Sequence, residues 1–137
     1  MPLVRITLKK GTGPEFKQQI SQSVHQSLVT KFNIPEEDRF QIIEEVDTEN
    51  LIWPERYMGI PHSDQIIYVQ ITAKSGRSRA MKQALFRAIA DEINRRTQHN
   101  TNDLVITLTE NLEENWSFGN GEAQLVSGTE PLTSYLA

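Results

Sequence analysis

No cysteine occurs among the 137 residues, which excludes disulfides, thiolate metal ligands and cysteine nucleophiles. Histidine is scarce, because only His25, His62 and His99 are present. The three lack metal-ligand spacing, and no motif pairs one of them with a nucleophilic serine. We therefore expect no metal site, and we expect His25, on the polar side of a predicted helix, and His62, in a predicted linker, to lie at the surface.

Positive charge is in deficit, with 14 Lys and Arg residues against 18 Asp and Glu residues and a net charge of -4. This balance argues against nucleic acid or an anionic membrane as the main partner. No apolar run approaches the length of a membrane span, and no signal peptide precedes the first predicted strand. These absences predict a cytoplasmic protein.

What the chain does contain is an internal repeat with an offset of 65 positions and no gap. The apolar helix positions Ile20, Val24 and Leu28 fall on Leu85, Ile89 and Ile93, which preserves their helical spacing. The identical pairs are Val4–Val69, Ile6–Ile71, Thr7–Thr72, Lys9–Lys74, Gly11–Gly76, Lys17–Lys82, Gln18–Gln83, Asp38–Asp103 and Glu45–Glu110. The match indicates gene duplication.

Each half contains the same pattern of a β-type run, a glycine-containing turn, an amphipathic helix and a second strand. Pro35 ends the first helix, because proline cannot continue it. The predicted strands and helices are 3–8, 15–31 and 39–46 in repeat one and 66–73, 79–96 and 104–109 in repeat two.

The two β-α-β units predict one α+β domain over residues 1–137, with a four-stranded sheet and both helices on one face. Repeat one covers about 2–46 and repeat two about 66–110. The linker 47–65 is predicted to be ordered, and the tail 111–137 to be loop-like and to wrap a neighbouring molecule. The opposite face of the sheet is predicted to stay partly apolar, which suggests burial by oligomerisation.

Pro2 is the first candidate functional residue. An initiator Met before a small residue is usually removed, so the mature chain should begin with proline, whose nitrogen is a secondary amine. An α-amino group titrates at about pH 8. Modest tuning therefore makes it a general acid, a general base or an iminium-forming nucleophile. Many proteins also begin Met-Pro without any use of the proline.

Three further segments carry a resemblance to a known family. They are 34–41, Ile-Pro-Glu-Glu-Asp-Arg-Phe-Gln; 75–78, Ser-Gly-Arg-Ser; and 110–119, with Glu-Asn at its start and Trp-Ser-Phe-Gly at its end. With the amino-terminal proline, they resemble the tautomerase superfamily, which includes 4-oxalocrotonate tautomerase and macrophage migration inhibitory factor. The duplicated chain is similar to the malonate semialdehyde decarboxylases from Pro2 to about Gly128.

This resemblance implies a homotrimeric enzyme that uses neither metal nor organic cofactor and decarboxylates malonate semialdehyde to acetaldehyde and CO2. The proline nitrogen of Pro2 would be cationic and would work with Asp38, which raises the pKa of the amine. Arg77 would bind the carboxylate of a small oxo acid, and Trp116 and Phe118 would line the pocket.

The chain departs from the family pattern at two positions. Ser75 stands where one branch has the first arginine of an Arg-x-Arg pair, which leaves Lys74 as the nearest positive side chain for substrate binding. His62 stands where members tend to have an arginine. Alternatives stay open: tautomerase or hydratase activity on another small 2-oxo acid, or ligand binding without catalysis.

The site residues also have ordinary structural explanations. Asp38 is typical of a turn that enters a strand, and its repeat partner Asp103 has no proline amine to serve. Arg77 resembles a solvated arginine before a helix. Trp116 and Phe118 would most often be packing anchors.

Overall fold

The computed structural model describes residues 1–128. Its long elements follow the duplicated pattern, with a short hairpin between the repeats. They are β1 (Pro2–Lys9), α1 (Pro14–Phe32), β2 (Phe40–Val46), β3 (Arg56–Tyr57), β4 (Ile60–Pro61), β5 (Ile67–Lys74), α2 (Arg79–Thr97) and β6 (Leu104–Asn111). Both long helices lie within one residue, at each end, of the predicted bounds.

The main sheet has the order β2-β1-β5-β6. Within each repeat the two strands are parallel, and the repeats meet through antiparallel β1 and β5, where Val4 is the partner of Ile71 and Ile6 of Val69. Alternate residues of β1 and β5 are buried in one core with the apolar faces of both helices. The duplicated β-α-β fold with two helices on one face is therefore confirmed.

Local signals explain where the helices begin and end. Pro14 stands in the first turn of α1, where its missing N–H costs nothing. Asn33 ends α1 in the left-handed conformation, with φ 56°. The hydroxyl of Ser78 accepts a hydrogen bond from the backbone N–H of Met81 and so caps α2. Gln98 ends α2 with φ 60°. None of the helices within residues 1–128 is both long and apolar enough to cross a membrane.

The face of the sheet opposite the helices is partly apolar, as expected. Leu3, Phe40, Ile42 and Val105 point away from the core and are 37 to 45% exposed. Neighbouring positions on this face are polar, including Arg5, which pairs with Glu44 across the two strands.

The connections differ in how much structure they contain. The segment between the repeats holds a helical turn at Thr48–Asn50 and the β3–β4 hairpin. After β6 the chain makes one helical turn at Glu113–Asn115 and then a series of loops. The last nine residues of the predicted tail, 129–137, lie outside the described residues.

Candidate active site

The first strand places the start of the chain at one end of the sheet. Pro2 is buried and is the Cα partner of Ala73 in β5. In the structure the free amine belongs to Met1, and its nitrogen lies 3.1 Å from Oδ2 of Asp38. Removal of Met1 would transfer the amine to Pro2, one residue or about 3.8 Å along the chain. Asp38 is the carboxylate that faces this end of the chain.

Asp38 lies in the loop between α1 and β2, and its side chain is only 11% exposed. One oxygen, Oδ2, pairs with the amine. The other, Oδ1, is buried and has no hydrogen-bond partner within residues 1–128. An unpaired buried oxygen is unfavourable by about 1–3 kcal/mol and is rare in native proteins. Within residues 1–128, Oδ1 is thus an acceptor without a donor.

The repeat partner, Asp103, provides an internal comparison. Its Oδ1 accepts from the backbone N–H of Ser63 at 2.7 Å, and its Oδ2 accepts from the Ser63 hydroxyl at 2.6 Å. Both oxygens of Asp103 are therefore satisfied by one residue, Ser63, upstream of repeat two. The aspartate therefore has a structural role in repeat two, whereas the equivalent Asp38 in repeat one keeps one oxygen without a hydrogen-bond partner.

Burial and nearby charges shift the pKa of the Met1 amine in opposite directions. Burial is the largest, and it lowers the pKa of the Met1 amine because desolvation penalises the charged form. The hydrogen bond and charge of Asp38 raise this pKa, whereas the charges of Arg77 and Lys74 lower it. The net pKa lies below the ordinary value of 8.0. A lowered pKa leaves more of the amine in the neutral form that a general base requires.

Arg77 lies in the turn between β5 and α2. Its guanidinium carbon is 4.7 Å from the ring centroid of Phe32, the last residue of α1. Nη1 donates to the backbone oxygen of Lys74 at 3.0 Å, and Nη2 donates to that of Phe32 at 3.5 Å. These bonds occupy two of the five N–H donors of a guanidinium, and they fix the plane of the group. The other donors remain for a carboxylate.

Aromatic side chains cluster at the same end of the sheet. Trp116 and Phe118, in the segment after β6, are stacked with their ring centroids 5.4 Å apart. Phe118 also contacts Phe40, at the start of β2, with centroids 5.6 Å apart. Because β2 and β6 are the two edge strands, this segment crosses the end of the sheet where Pro2 begins. The indole N–H of Trp116 donates to Oδ1 of Asn111 at 2.6 Å, which fixes the ring.

Lys74, the last residue of β5, is half-buried and forms an ion pair with Glu113, at 3.2 Å between Nζ and Oε1. Ser75, which stands where one branch of the family has an arginine, is exposed. Its backbone N–H donates to the backbone oxygen of Asn111 at 2.7 Å. The positive charge of Lys74 is therefore near the amine and is partly offset by a carboxylate.

The surface prediction for His25 is wrong. His25 is only 2% exposed, and its Nε2 lies 2.8 Å from the backbone oxygen of Glu36. His62 is partly exposed; its Nδ1 lies 3.0 Å from the backbone oxygen of Pro54, at the end of the sheet away from Pro2. The error arose because His25 is polar, although it lies between the core residues Val24 and Leu28 of α1.

Two residues at the site were not singled out by sequence reasoning. Phe40 was recognised only as part of a motif, although its place two residues after Asp38, on the outer face of β2, indicates a site contact. Asn111 was likewise recognised only as part of a motif, because its contact with Trp116 depends on the turn after β6.

A family model described as tautomerase enzyme matches residues 38–119, and a second with the same description matches residues 2–63. The probable tautomerase YusQ of Bacillus subtilis (strain 168) is 36% identical over 126 residues, which are 92% of this chain and 99% of that protein. The probable tautomerase YrdN of the same organism is 30% identical over 128 residues, 93% and 98% of the two chains.

Solved structures agree with this assignment. FG41 malonate semialdehyde decarboxylase inhibited by 3-bromopropiolate superposes with a TM-score of 0.84 at 33% identity, over 89% of this chain and 92% of that one. A fused 4-OT described as a symmetric trimer shares the fold, with a TM-score of 0.72 at 18% identity over 88% and 94% of the two chains. The chain belongs to the tautomerase family, as the resemblance of Pro2 and the three segments predicted, and it is a tautomerase-family enzyme.

Proposed function

We propose that the mature protein begins at Pro2 and decarboxylates malonate semialdehyde to acetaldehyde and CO2, with Pro2, Asp38 and Arg77 as its catalytic residues. The observation that carries the proposal is that Asp38 faces the start of the chain, with its Oδ2 3.1 Å from the Met1 amine and its Oδ1 without a hydrogen-bond partner within residues 1–128. The 33% identical relative named as a malonate semialdehyde decarboxylase supports this choice of substrate.

The chemistry requires an electron sink at the carbonyl carbon of the substrate. The bond between the carboxyl carbon and the methylene carbon breaks, its electron pair moves toward the carbonyl, and CO2 leaves. A proton then adds to the methylene carbon to give acetaldehyde. A protonated Pro2 amine would stabilise the developing oxyanion by hydrogen bonding. Alternatively, the neutral amine would condense with the carbonyl, with loss of water, to an iminium ion that accepts the electron pair and is then hydrolysed to release acetaldehyde. Asp38 would favour the protonated amine through its negative charge.

Binding would depend on Arg77 and on the aromatic cluster. The free N–H donors of Arg77 would hold the substrate carboxylate. Lys74 would add positive charge to the same pocket. Trp116 and Phe118 would exclude water, which strengthens the electrostatic interactions within the site. The amine itself supplies the electron sink, so the reaction needs neither a metal nor an organic cofactor.

A second candidate is tautomerisation of a small 2-oxo acid, with Pro2 as general base. The observation that favours it is the burial at the start of the chain, which lowers the pKa of the Met1 amine and would act in the same direction on a Pro2 amine, because a base must be neutral at the working pH. The curated relatives at 36% and 30% identity carry the name probable tautomerase.

We also infer a homotrimer. The outer face of the sheet leaves Leu3, Phe40 and Ile42 exposed next to one another on the β1 and β2 strands. A contiguous apolar patch of this kind marks an interface. The fused 4-OT relatives, which share this fold, are described as trimers.

The experiment that tests the proposal is a panel of small oxo acids, assayed from acid to alkaline pH. The protein's N-terminus is first verified by intact mass, and the matched control carries one additional residue before Pro2. Decarboxylation should fall as the pH rises through the pKa of the amine, because the cation is required. A tautomerase rate that dominates at pH 7 and rises over that range would instead establish the second candidate.

The extended control should lose activity, because its amine is displaced from Pro2. Equal activity in the control would refute the proline mechanism. Absence of turnover with every oxo acid, together with saturable binding, would show a ligand-binding protein on the enzyme scaffold.

A further inference from the structure

The loop that carries Asp38 is held by polar side chains on one side of α1. On the N-terminal side of Asp38, Nε2 of His25 lies 2.8 Å from the backbone oxygen of Glu36, and Gln26 donates to Oε1 of Glu36 at 3.1 Å. The acceptor on Glu36 is a carbonyl, so the ring nitrogen of His25 must carry the proton. The Glu36 carboxylate lies 3.9 Å from the same nitrogen.

The C-terminal side of the loop is held by the preceding turn of the same helix. Arg39 donates to Oε1 of Gln22 at 2.8 Å and to Oγ of Ser21 at 2.7 Å. We refer to Ser21, Gln22, His25 and Gln26 as the polar clamp. Their spacing of one, four and five residues places them on one side of α1, because a helical turn has 3.6 residues.

The polar clamp contacts the residues on both sides of Asp38 but not its carboxylate. This arrangement fixes the loop while Oδ1 remains unpaired. A hydrogen bond made directly to the Asp38 carboxylate would also fix the loop, but it would occupy Oδ1. The clamp therefore positions Asp38 and preserves its free oxygen.

Repeat two lacks the clamp. The positions equivalent to Ser21 and His25 are Phe86 and Ala90, whose side chains form no hydrogen bonds. The positions equivalent to Gln22 and Gln26 are Arg87 and Asp91, which pair with each other at 3.2 Å. There the aspartate, Asp103, is held through its carboxylate by Ser63. The clamp thus occurs in the repeat whose aspartate faces the chain start.

We propose that His25 is a positioning residue that sets Asp38 against the N-terminal amine. This inference rests on the proposed function of Asp38. His25 is the member of the clamp that contacts the loop backbone, and it is only 2% exposed. Loss of this bond frees the loop on the N-terminal side of Asp38.

The test compares two amide variants that differ in reach. The amide nitrogen of His25→Gln can approach the position of Nε2, whereas that of His25→Asn stops one bond short of it. We expect His25→Asn to lower kcat by about 10- to 100-fold, since a misplacement of about 1 Å has effects of this size. The KM for the oxo acid should change little, because Arg77 lies in another loop. His25→Gln should recover most of the activity.

The pH profile separates positioning from general stability. His25→Asn should move the pH–rate profile in the same direction as Asp38→Asn, and it should add no further shift in an Asp38→Asn background. The matched control is His99→Asn, because His99 Nε2 lies 3.1 Å from the backbone oxygen of Asp103 in the corresponding loop of repeat two. His99→Asn should leave the profile unchanged.

Two results would overturn the inference. One is a pH–rate profile that is unshifted in folded His25→Asn although Asp38→Asn does shift the profile. The other is a full additional shift of the pH–rate profile when His25→Asn is combined with Asp38→Asn, which would show that His25 acts on the profile independently of Asp38. An unshifted profile in Asp38→Asn itself would refute the proposed function instead, so the two failures are distinguishable.

Discussion

Replacement of Arg77 by alanine tests the substrate-binding half of the proposed site. The guanidinium is fixed by the ring of Phe32 and by the backbone oxygens of Lys74 and Phe32, so its free donors are oriented before substrate arrives. Preorganisation of this kind gives a bound carboxylate its full charge-assisted hydrogen bond. We expect Arg77→Ala to weaken the use of every carboxylate substrate.

The magnitude follows from the contacts that are lost. A hydrogen bond to a charged group contributes about 2–3 kcal/mol, which corresponds to a loss of about 30- to 150-fold in kcat/KM. The folded protein also loses the contact with Phe32, about 0.5–1 kcal/mol, and two hydrogen bonds to backbone oxygens. The free energy of unfolding should therefore fall by about 1.5–4 kcal/mol. Arg77→Lys should recover part of the loss in kcat/KM, because the charge remains and the forked geometry does not.

Steady-state kinetics on two substrates provide the assay, and urea unfolding reports stability. Both substrates are assayed for enol–keto tautomerisation, because an ester has no carboxylate to lose as CO2: the first is a 2-oxo acid, and the second is its neutral methyl ester, which presents no carboxylate to Arg77. The variant should lose far more activity on the acid than on the ester. Equal losses on both substrates, or unchanged kinetics on the acid, would show that Arg77 is a structural residue of the turn.

Three further predictions concern the amine, its carboxylate and the assembly. In protein that retains Met1, the amine pKa lies below 8.0, so the unfolded chain binds the proton more tightly. Its contribution to the free energy of unfolding should rise as the pH climbs from that lowered pKa to about 8.0. Urea unfolding against N-acetylated protein measures this, and a contribution that falls with pH would contradict it. Asp38→Asn should lower the pKa of the amine and move the decarboxylation and tautomerisation profiles toward acid, and unmoved pH–rate profiles would count against the pair. Ile42→Glu places a charge on the exposed sheet face and should therefore dissociate the proposed trimer into monomers, as measured by light scattering. Ile52→Glu, at a position 81% exposed outside the sheet, should not. A stable trimer in Ile42→Glu would place the interface elsewhere.

The fold could be predicted from local patterns because they occur twice. The helices predicted at 15–31 and 79–96 are Pro14–Phe32 and Arg79–Thr97 in the structure. Apolar spacing and turn residues act over a few positions, so they mark both helices without knowledge of their partners. The tail was harder, since the stacking of Trp116 on Phe118 gives no periodic signal.

The site was predicted less completely, because its contacts join distant parts of the chain. The burial of His25 depends on the loop that returns over α1 after Asn33, and a polar residue on a helix gives no warning of such a loop. The contact between Ser63 and Asp103 spans 40 positions. Sequence comparison of the repeats shows that Asp38 and Asp103 are equivalent, but not which oxygens are occupied.

The sequence by itself determined the duplication, the β-α-β units and the membership in the tautomerase family, because all three depend on spacing and short motifs. Only the tertiary structure decided the different states of the two equivalent aspartates. The linker precedes repeat two, and its residue Ser63 donates hydrogen bonds to both oxygens of Asp103. At repeat one the amine occupies a single oxygen of Asp38, and the polar clamp holds the loop through its neighbours. The physical reason is that hydrogen-bond satisfaction depends on what the fold brings within about 3 Å, and not on residue type.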